Sequence, residues 1–274
     1  MGQRNIRARA ELLSRPTGQK KGDDKMEVID GHVHVGRRHL PLAQINEILA
    51  KAGADRAVIF ADPESSDIPD DNRYVLESVE VSDHIPYFYI GGNAYSTNRP
   101  FPELPDPQDL APYKGIKWHC WFTPGHDFGG TKLGMNSDQV DGVLTEPRMT
   151  ALMDKVREMD IPVNFEEHFD ITVRFAEIYS DVKIIIPHMG GLNGGTERIL
   201  DALRYKDNVH YDVSLAGLSP SLVKSMGAEK FICGSDYPYG NPAWTIDRIK
   251  KMNIDDEEKE AILSGNVLRL SGLA

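Results

Sequence analysis

From Met26 onward, short apolar runs alternate with longer stretches in which apolar residues recur at helical spacing. The runs have the length of buried strands, and the stretches between them have the period of amphipathic helices. The pattern predicts eight strands, at residues 26–30, 56–60, 87–90, 115–118, 162–165, 183–186, 209–213 and 230–233. It predicts helices at residues 42–52, 148–159, 171–179, 196–203 and 220–226, with Asp170 as the N-cap of the third.

Eight strands, most of them followed by a helix within about 250 residues, predict a single-domain (β/α)8 TIM barrel of the α/β class. An open, doubly wound sheet is the competing arrangement and predicts a glycine-rich phosphate loop after the first strand. The chain instead has the run H-V-H-V-G at residues 32–36, which disfavours a dinucleotide site. Two long irregular stretches, residues 93–113 and 122–141, are expected to form loops over the mouth of the barrel.

The composition bounds the class of protein. Hydrophobic residues make up 40% of the 274 residues, enough for a substantial core, so global disorder is not expected. The formal net charge of -11 argues against a nucleic-acid-binding surface, and no apolar run is long enough to predict a membrane span. Cys120 and Cys233 lie in apolar strand-like runs and do not make a disulfide framework, which favours a cytoplasmic protein.

Residues 1–25 differ from the remainder of the chain. They contain seven Lys or Arg residues and three acids, a local charge of +4, and they lack the apolar stretch of a secretory signal. We expect a flexible basic extension that is dispensable for activity, with residues 26–274 forming the barrel. Met26 is itself a possible translation start, and a targeting peptide is the alternative interpretation.

The end of the first predicted strand carries two histidines, His32 and His34. Side chains alternate between the two faces of a strand, so these imidazoles point the same way. Two imidazoles on one face can hold one divalent metal ion, although the same motif also occurs as ordinary strand-end histidines. Other metal-capable groups follow later predicted strands, and in a barrel the carboxyl ends of all strands meet at one mouth. These later groups are Lys117 and His119, Glu166 and His168, His188, and Asp236.

Three short segments that contain some of these residues together resemble sequence motifs of the amidohydrolase superfamily. They are D-G-H-V-H at residues 30–34, I-P-H-M-G-G at residues 186–191 and G-S-D-Y-P at residues 234–238. The resemblance is strongest to the branch that includes aminocarboxymuconate-semialdehyde decarboxylase, and S-G-N-V-L-R-L at residues 264–270 also resembles the end of that branch. It covers nearly all of residues 26–274.

The resemblance implies a mononuclear metal site, with zinc as the usual ion, at the mouth of the barrel. His32 and His34 match the first-strand ligands, and Asp236 matches an aspartate that binds metal and accepts a proton from the activated water. His188 matches a histidine that orients or protonates the substrate. The plainer alternatives are a turn or N-cap role for Asp236 and a structural hydrogen bond for His188.

The fifth predicted strand departs from the family pattern, because Glu166 stands where the family usually has a metal-binding histidine. Strand alternation places Asn164, Glu166 and His168 on the inward face, and Glu167 is expected to pair with a surface cation. We prefer Glu166 as the ligand and take His168 as the second choice. A carboxylate ligand keeps manganese open as an alternative to zinc.

Lys117 and His119 share one face of the fourth strand, and with Arg37 they are candidate substrate-binding residues; a plain ion pair with a strand-end acid is the alternative for Lys117. The leading interpretation is a metal-dependent hydrolase of a small molecule, in which Asp236 and His188 are catalytic. A decarboxylase of a small aromatic or unsaturated acid is the close alternative. A non-catalytic ligand-binding barrel is the alternative from another class. The resemblance also raises the expectation of a homodimer.

Overall fold

The computed structural model describes residues 26–65, 67–91, 104–119 and 136–274. The extension predicted at residues 1–25 lies outside them, as does most of the two predicted mouth loops. The strands follow in this order: β1 (Ile29–Val35), β2 (Arg56–Ala61), β3 (Ile85–Pro86), β4 (Phe88–Gly91), β5 (Ile116–His119), β6 (Val163–Glu166), β7 (Ile184–Ile186), β8 (Val209–Asp212) and β9 (Phe231–Ile232).

Each strand pairs in parallel with the next along the chain, in the orders β1-β2-β3 and β4-β5-β6-β7-β8-β9. Only Tyr87 separates β3 from β4, and its N–H donates to the Ile59 carbonyl, so the two segments act as one strand. The first and last strands also join, since the N–H of Gly31 donates to the carbonyl of Cys233 at 2.7 Å. The result is the predicted (β/α)8 TIM barrel of eight strands.

Helices cover the outside of the barrel. They are α1 (Leu42–Ala52), α2 (Ile68–Glu80), α3 (Ser137–Leu144), α4 (Pro147–Met159), α5 (Phe169–Ile178), α6 (Thr196–Leu203), α7 (Pro220–Met226), α8 (Pro242–Lys250), α9 (Asp256–Glu260) and α10 (Asn266–Leu270). Short 3-10 turns lie at Pro107–Leu110, Pro187–Gly190 and Ala228–Lys230, and a π-turn at Ala261–Gly265. Within the described residues no helix is both long and apolar enough to cross a lipid bilayer.

The hydrophobic periodicity reproduces several helices closely. Four α4 residues predicted on one face, Met149, Leu152, Met153 and Val156, are all buried. The bounds predicted for the helices at residues 196–203 and 220–226 are those observed for α6 and α7. The periodicity of apolar residues is therefore a sound guide to the outer layer of this barrel.

Two local predictions are wrong. His168, not Asp170, is the N-cap of α5, because its Nδ1 accepts the Asp170 N–H at 3.3 Å. The second predicted loop includes residues 137–141, which instead begin α3. The side chains and backbones of Asn136 and Gln139 form a reciprocal capping box there, a sequence signal for a helix start that was overlooked.

The interior of the barrel is filled by large side chains of several strands, among them Phe60, Tyr87 and Tyr89. Val267 and Leu270 of α10 pack against the same cluster. A second, larger core fills the space between the strands and the helices. The filled interior leaves the carboxyl ends of the strands as the place where polar side chains meet.

Candidate metal centre

The two histidines of β1 are almost completely buried at its carboxyl end. Nδ1 of His32 is hydrogen-bonded to the carboxylate of Asp212, the last residue of β8. Nδ1 of His34 donates to the carbonyl oxygen of Ala61 at 3.1 Å. In the neutral form each ring therefore carries its proton on Nδ1 and turns the electron pair of Nε2 inward, as metal-binding histidines do.

Asp236 follows β9 and faces both histidines. Its Oδ1 lies 3.1 Å from Nε2 of His32 and 3.1 Å from Nε2 of His34. The Asp236 N–H donates to the His32 carbonyl at 2.8 Å, so the contacts that close the barrel also fix this carboxylate. The backbone of Asp236 has a φ of 62°, in the left-handed region that residues with a Cβ seldom adopt outside turns and functional sites.

His188 completes the cluster from the end of β7. Its Nδ1 lies 2.9 Å from the hydroxyl oxygen of Ser214, and its Nε2 lies 4.0 Å from Oδ2 of Asp236. A φ of 54° at His188 turns the chain sharply after the strand and directs the ring inward. One potential ligand atom from each of His32, His188 and Asp236 lies within 4.8 Å of the other two.

Asp30 holds the backbone of two residues at the cluster. Its Oδ1 accepts the N–H of Ser235 at 2.8 Å and that of His32 at 3.2 Å. Burial raises the pKa of Asp30 to about 7, although these hydrogen bonds favour the charged form. Asp30 therefore ties the end of β1 to the segment after β9.

The fixed charges at the site fit a divalent cation. Three buried carboxylates lie at the site, those of Asp212, Asp236 and Glu166, together with one buried ammonium, that of Lys117. When the histidines are neutral, two of the three negative charges are therefore uncompensated. Without an ion, protons take that place: burial and Lys117 lower the pKa of His32, but Asp212 and Asp236 outweigh them and raise it to about 9. Three inward nitrogen and oxygen donors and this charge deficit together suit one metal ion.

The carboxylate of Asp236 is ionised in this setting. Burial acts to raise the pKa of Asp236, but the rings of His32 and His188 outweigh burial and hold it well below its usual range. An ionised carboxylate is one of the groups that bind zinc.

Glu166 points inward, as predicted, but its carboxylate is engaged by a lysine. Its Oε2 accepts a hydrogen bond from Nζ of Lys117 at 2.7 Å, and its Oε1 lies 3.6 Å from Nε2 of His119. Burial acts to raise the pKa of Glu166, but Lys117 and His119 hold it well below its usual range. The ion pair that was the alternative for Lys117 is therefore present in the structure.

Lys117 and His119 lie on one face of β5, and both converge on Glu166. The pairing of Lys117 with Asn164 and of His119 with Glu166 in the β5–β6 register brings them together. Tyr89 orients His119 through a 3.0 Å contact between the hydroxyl and Nδ1. The buried side chains of Lys117 and His119 border the cluster from β5.

Two predicted site residues do not join the cluster. His168 caps α5 and lies 3.5 Å from the Asp170 carboxylate; among the described residues its Nε2 has no hydrogen-bond partner. Arg37 is more than a third exposed and pairs with Asp70 and Glu77 of α2. We leave both out of the proposed site, because the side chain of His168 is directed to the start of α5 and that of Arg37 to surface acids.

Glu167 corrects a further expectation. It is 1% exposed and accepts a 3.0 Å hydrogen bond from Nε1 of Trp118, so the predicted pairing with a surface cation is wrong. Glu167 and Trp118 both turn toward the helix layer, where a buried carboxylate needs a donor.

Several residues of the site were missed in the sequence. Asp212 and Ser214 lie at the end of β8, where Oδ1 of Asp212 accepts the Ser214 N–H at 2.7 Å. Their position after an apolar strand is the same signal that identified the other strand ends. Asn164 was placed inward but given no role, and its Oδ1 accepts from Lys117 at 3.3 Å.

Two side chains at the mouth, Tyr239 and Leu215, are partly exposed and lie on segments that touch. Tyr239 is 41% exposed, packs edge-on against the ring of His34 at 5.5 Å and donates to Glu64 at 3.2 Å. Leu215 is 49% exposed and has a φ of 54°. A Cβ built on Gly240 would lie 2.9 Å from Cδ2 of Leu215, so the two rim segments touch. They offer an apolar wall beside a polar centre, as ligand sites do.

Comparison with known proteins agrees with this architecture. The sequence profile of the amidohydrolase family matches residues 125–273. No curated protein matches the chain by sequence. Solved structures do match the chain. One of them is described as a probable 2-pyrone-4,6-dicarboxylic acid hydrolase from Acinetobacter baumannii with citric acid bound. It has a TM-score of 0.60 and 17% sequence identity, over 90% of this chain and 100% of that chain.

Two further similar structures are decarboxylases. The 5-carboxyvanillate decarboxylase from Sphingomonas paucimobilis has a TM-score of 0.58 and 11% identity, over 91% of this chain and 100% of that chain. The 2,6-dihydroxybenzoate decarboxylase from Rhizobium has a TM-score of 0.62 and 12% identity, over 91% of this chain and 99% of that chain. At these identities the likeness establishes a shared fold.

Proposed function

Because this chain belongs to the amidohydrolase family, we propose that it is a metal-dependent hydrolase of a small molecule, acting at the carboxyl-terminal mouth of its barrel. The observation that carries this proposal is the convergence of Nε2 of His32 and Nε2 of His34 on Oδ1 of Asp236, each at 3.1 Å. We name these three side chains as the ligands of one divalent ion. Zinc is our first choice, because two imidazoles and a carboxylate suit it, and manganese is the alternative.

When bound, a divalent ion supplies Lewis acidity that lowers the pKa of water from about 15.7 toward about 7. The chain's own residues provide the proton transfers. Oδ1 of Asp236 faces the two β1 histidines, whereas Oδ2 faces Nε2 of His188, and Oδ2 is our candidate acceptor for the proton of the attacking water.

His188 is the candidate group for the substrate. When the Ser214 hydroxyl donates to Nδ1, the neutral ring carries its proton on Nε2, which faces the centre of the site. From there it can donate to an oxygen that gains negative charge during the reaction. Ser214 in turn is held by its N–H on Asp212, so the same carboxylate positions both His32 and the partner of His188.

We propose a small cyclic carboxylic acid as the substrate class. The named similar structures comprise a probable hydrolase of a pyrone dicarboxylic acid and decarboxylases of ring carboxylic acids. In this chain Lys117 places an ammonium and His119 an imidazole beside the cluster, and Tyr239 and Leu215 provide an apolar wall at the rim. A ring with a carboxylate suits both features.

A decarboxylase is the second candidate, favoured by the likeness to the two decarboxylase structures. The same side chains would serve, with His188 or Asp236 delivering a proton to the ring carbon that loses carbon dioxide. A cytoplasmic location and a homodimer remain predictions from the sequence.

The proposal is tested by assaying the protein on a panel of lactones, amides and ring carboxylic acids, after stripping with a chelator and after restoring zinc or manganese. We expect metal-dependent conversion of a cyclic substrate with uptake of one water, detected by mass spectrometry. Release of carbon dioxide without uptake of water would establish the decarboxylase instead. Bound metal without turnover of any compound on the panel would favour the non-catalytic barrel.

A further inference from the structure

The ammonium of Lys117 lies beside one of the atoms that would hold the metal, Nε2 of His32. Its Nζ is 3.3 Å from Nε2 of His32 and 2.7 Å from Oε2 of Glu166. A third contact, 3.3 Å to Oδ1 of Asn164, holds it there, and the side chain is completely buried. A buried lysine with three such neighbours is a fixed element of the site rather than a mobile surface charge.

The contact with His32 creates a direct conflict. Nδ1 of His32 is committed to the Asp212 carboxylate, so the neutral ring has a single electron pair, at Nε2. A metal ion needs that electron pair, and the ammonium of Lys117 stands 3.3 Å from the same nitrogen. A metal ion bound there would lie close to the ammonium, and two cations at such a spacing repel each other in a buried site.

Glu166 presents the same conflict on the other side. Its Oε2 accepts a hydrogen bond from Nζ of Lys117 at 2.7 Å. As long as Lys117 holds this oxygen, Oε2 serves the ammonium and is not available to a metal ion.

We propose that Lys117 is a built-in competitor of the metal: when the ion is absent, its ammonium stands beside Nε2 of His32 and holds Oε2 of Glu166, and this weakens binding of the ion. This inference rests on the proposed metal site. In the apo protein the ammonium compensates one of the three buried carboxylates, that of Glu166, so loss of the ion leaves less negative charge to be neutralised by protons. The consequence is a centre that exchanges its metal more readily than the same ligands would without the lysine.

The test is a metal titration without substrate, on chelator-stripped protein, with zinc and with manganese competing against an indicator of known affinity. Lys117→Met removes the charge and keeps the length of the side chain, and we expect it to bind metal at least about tenfold more tightly than the wild type. Lys117→Gln is the second variant in case the first fails to fold. Lys117→Arg keeps the charge and is expected to bind no more tightly than the wild type.

Lys230→Met is the matched control. Lys230 is also partly buried, but its Nζ donates to the carbonyls of Lys206, Asp207 and Val209 beside the amino end of β8. Its replacement is expected to leave the metal affinity within about twofold of the wild type. Circular dichroism and thermal unfolding verify that each variant is folded.

Glu166→Gln separates competition for ligand atoms from simple repulsion. If Glu166 becomes a ligand only when Lys117 is removed, Glu166→Gln weakens metal binding more in the Lys117→Met background than in the wild type. Equal effects of Glu166→Gln in both backgrounds would mean that the electrostatic effects are additive, and this would overturn the inference.

Unchanged or weaker metal binding by folded Lys117→Met and Lys117→Gln would also overturn the inference. If neither the wild type nor any variant binds metal, both the proposed function and this inference fail.

Discussion

The carboxylate of Asp212 accepts a hydrogen bond from Nδ1 of His32, although 180 residues separate the two along the chain. Both side chains are completely buried. The contact fixes the ring so that Nε2 points to Asp236 and His34, and it leaves no choice of tautomer for the neutral histidine. Asp212 is thereby the residue that decides whether His32 can act as a ligand.

Replacement of Asp212 by Asn is expected to lower the metal affinity by about 10- to 100-fold, the usual effect of losing such a supporting carboxylate. The amide keeps the size of the side chain but removes the negative charge and permits the other tautomer of His32. Zinc titration of the chelator-stripped variant measures the change. Asp201→Asn, on the exposed face of α6, is the control, and an equal affinity in Asp212→Asn and wild type would contradict this role.

Asp236→Asn is expected to lower kcat by about 100- to 10,000-fold, because a positioned general base contributes about that much to the rate. A loss beyond this range would reflect the additional role of Asp236 as a metal ligand. The fold is expected to survive, since the Asp236 N–H still bonds the His32 carbonyl. Steady-state kinetics at saturating metal measure the loss. Asp247→Asn, an exposed acid on α8 paired with Lys251, is the control. Retained turnover in Asp236→Asn would remove Asp236 from the mechanism.

His168→Asn distinguishes a helix cap from a metal ligand. Asn is a preferred N-cap, so this variant is expected to keep α5, one metal ion per chain and activity within about twofold of the wild type. His34→Asn is expected to lose the ion, because Nε2 of His34 is one of the three converging donors. Metal content by mass spectrometry after purification without chelator measures both. A metal-free His168→Asn protein would return His168 to the list of ligands.

Much of this architecture was accessible from the sequence because it depends on local periodicity. The barrel follows from eight apolar runs, and the pair His32 and His34 shares a face because alternation is a property of any strand. The convergence of strand ends at one mouth then predicts that Asp236 and His188 meet them.

The pairings across the site were not accessible, because they depend on register. Lys117 stands beside Asn164, and His119 beside Glu166, only because β5 and β6 align in that way, and a sequence does not state this alignment. The Glu166 carboxylate therefore looked like a ligand and proved to be held by Lys117. His168 was misplaced for a related reason: alternation was extended beyond Glu166, where β6 has already ended and the chain enters α5.

His210 of β8 supplies a prediction for the dependence of stability on pH. It is 5% exposed, and Nδ1 donates to the carbonyl of Glu229 at 3.1 Å. Burial lowers the pKa of His210 to about 4, whereas an unfolded chain has a histidine pKa of about 6.5. The folded state thus resists protonation, so the contribution of His210 is present above about pH 6.5 and is lost as the pH falls toward about 4.

His210→Asn removes this titration and keeps a donor for the Glu229 carbonyl. The variant is expected to be less stable than the wild type at about pH 7.5, because it loses the buried ring. The difference in the free energy of unfolding is expected to narrow by about 2 to 3 kcal/mol on going to about pH 4.5, since only the wild type must keep a buried imidazole neutral. Urea unfolding at several pH values measures the difference. A difference in the free energy of unfolding that stays constant over this pH range would show that His210 has the same pKa in the folded and unfolded states.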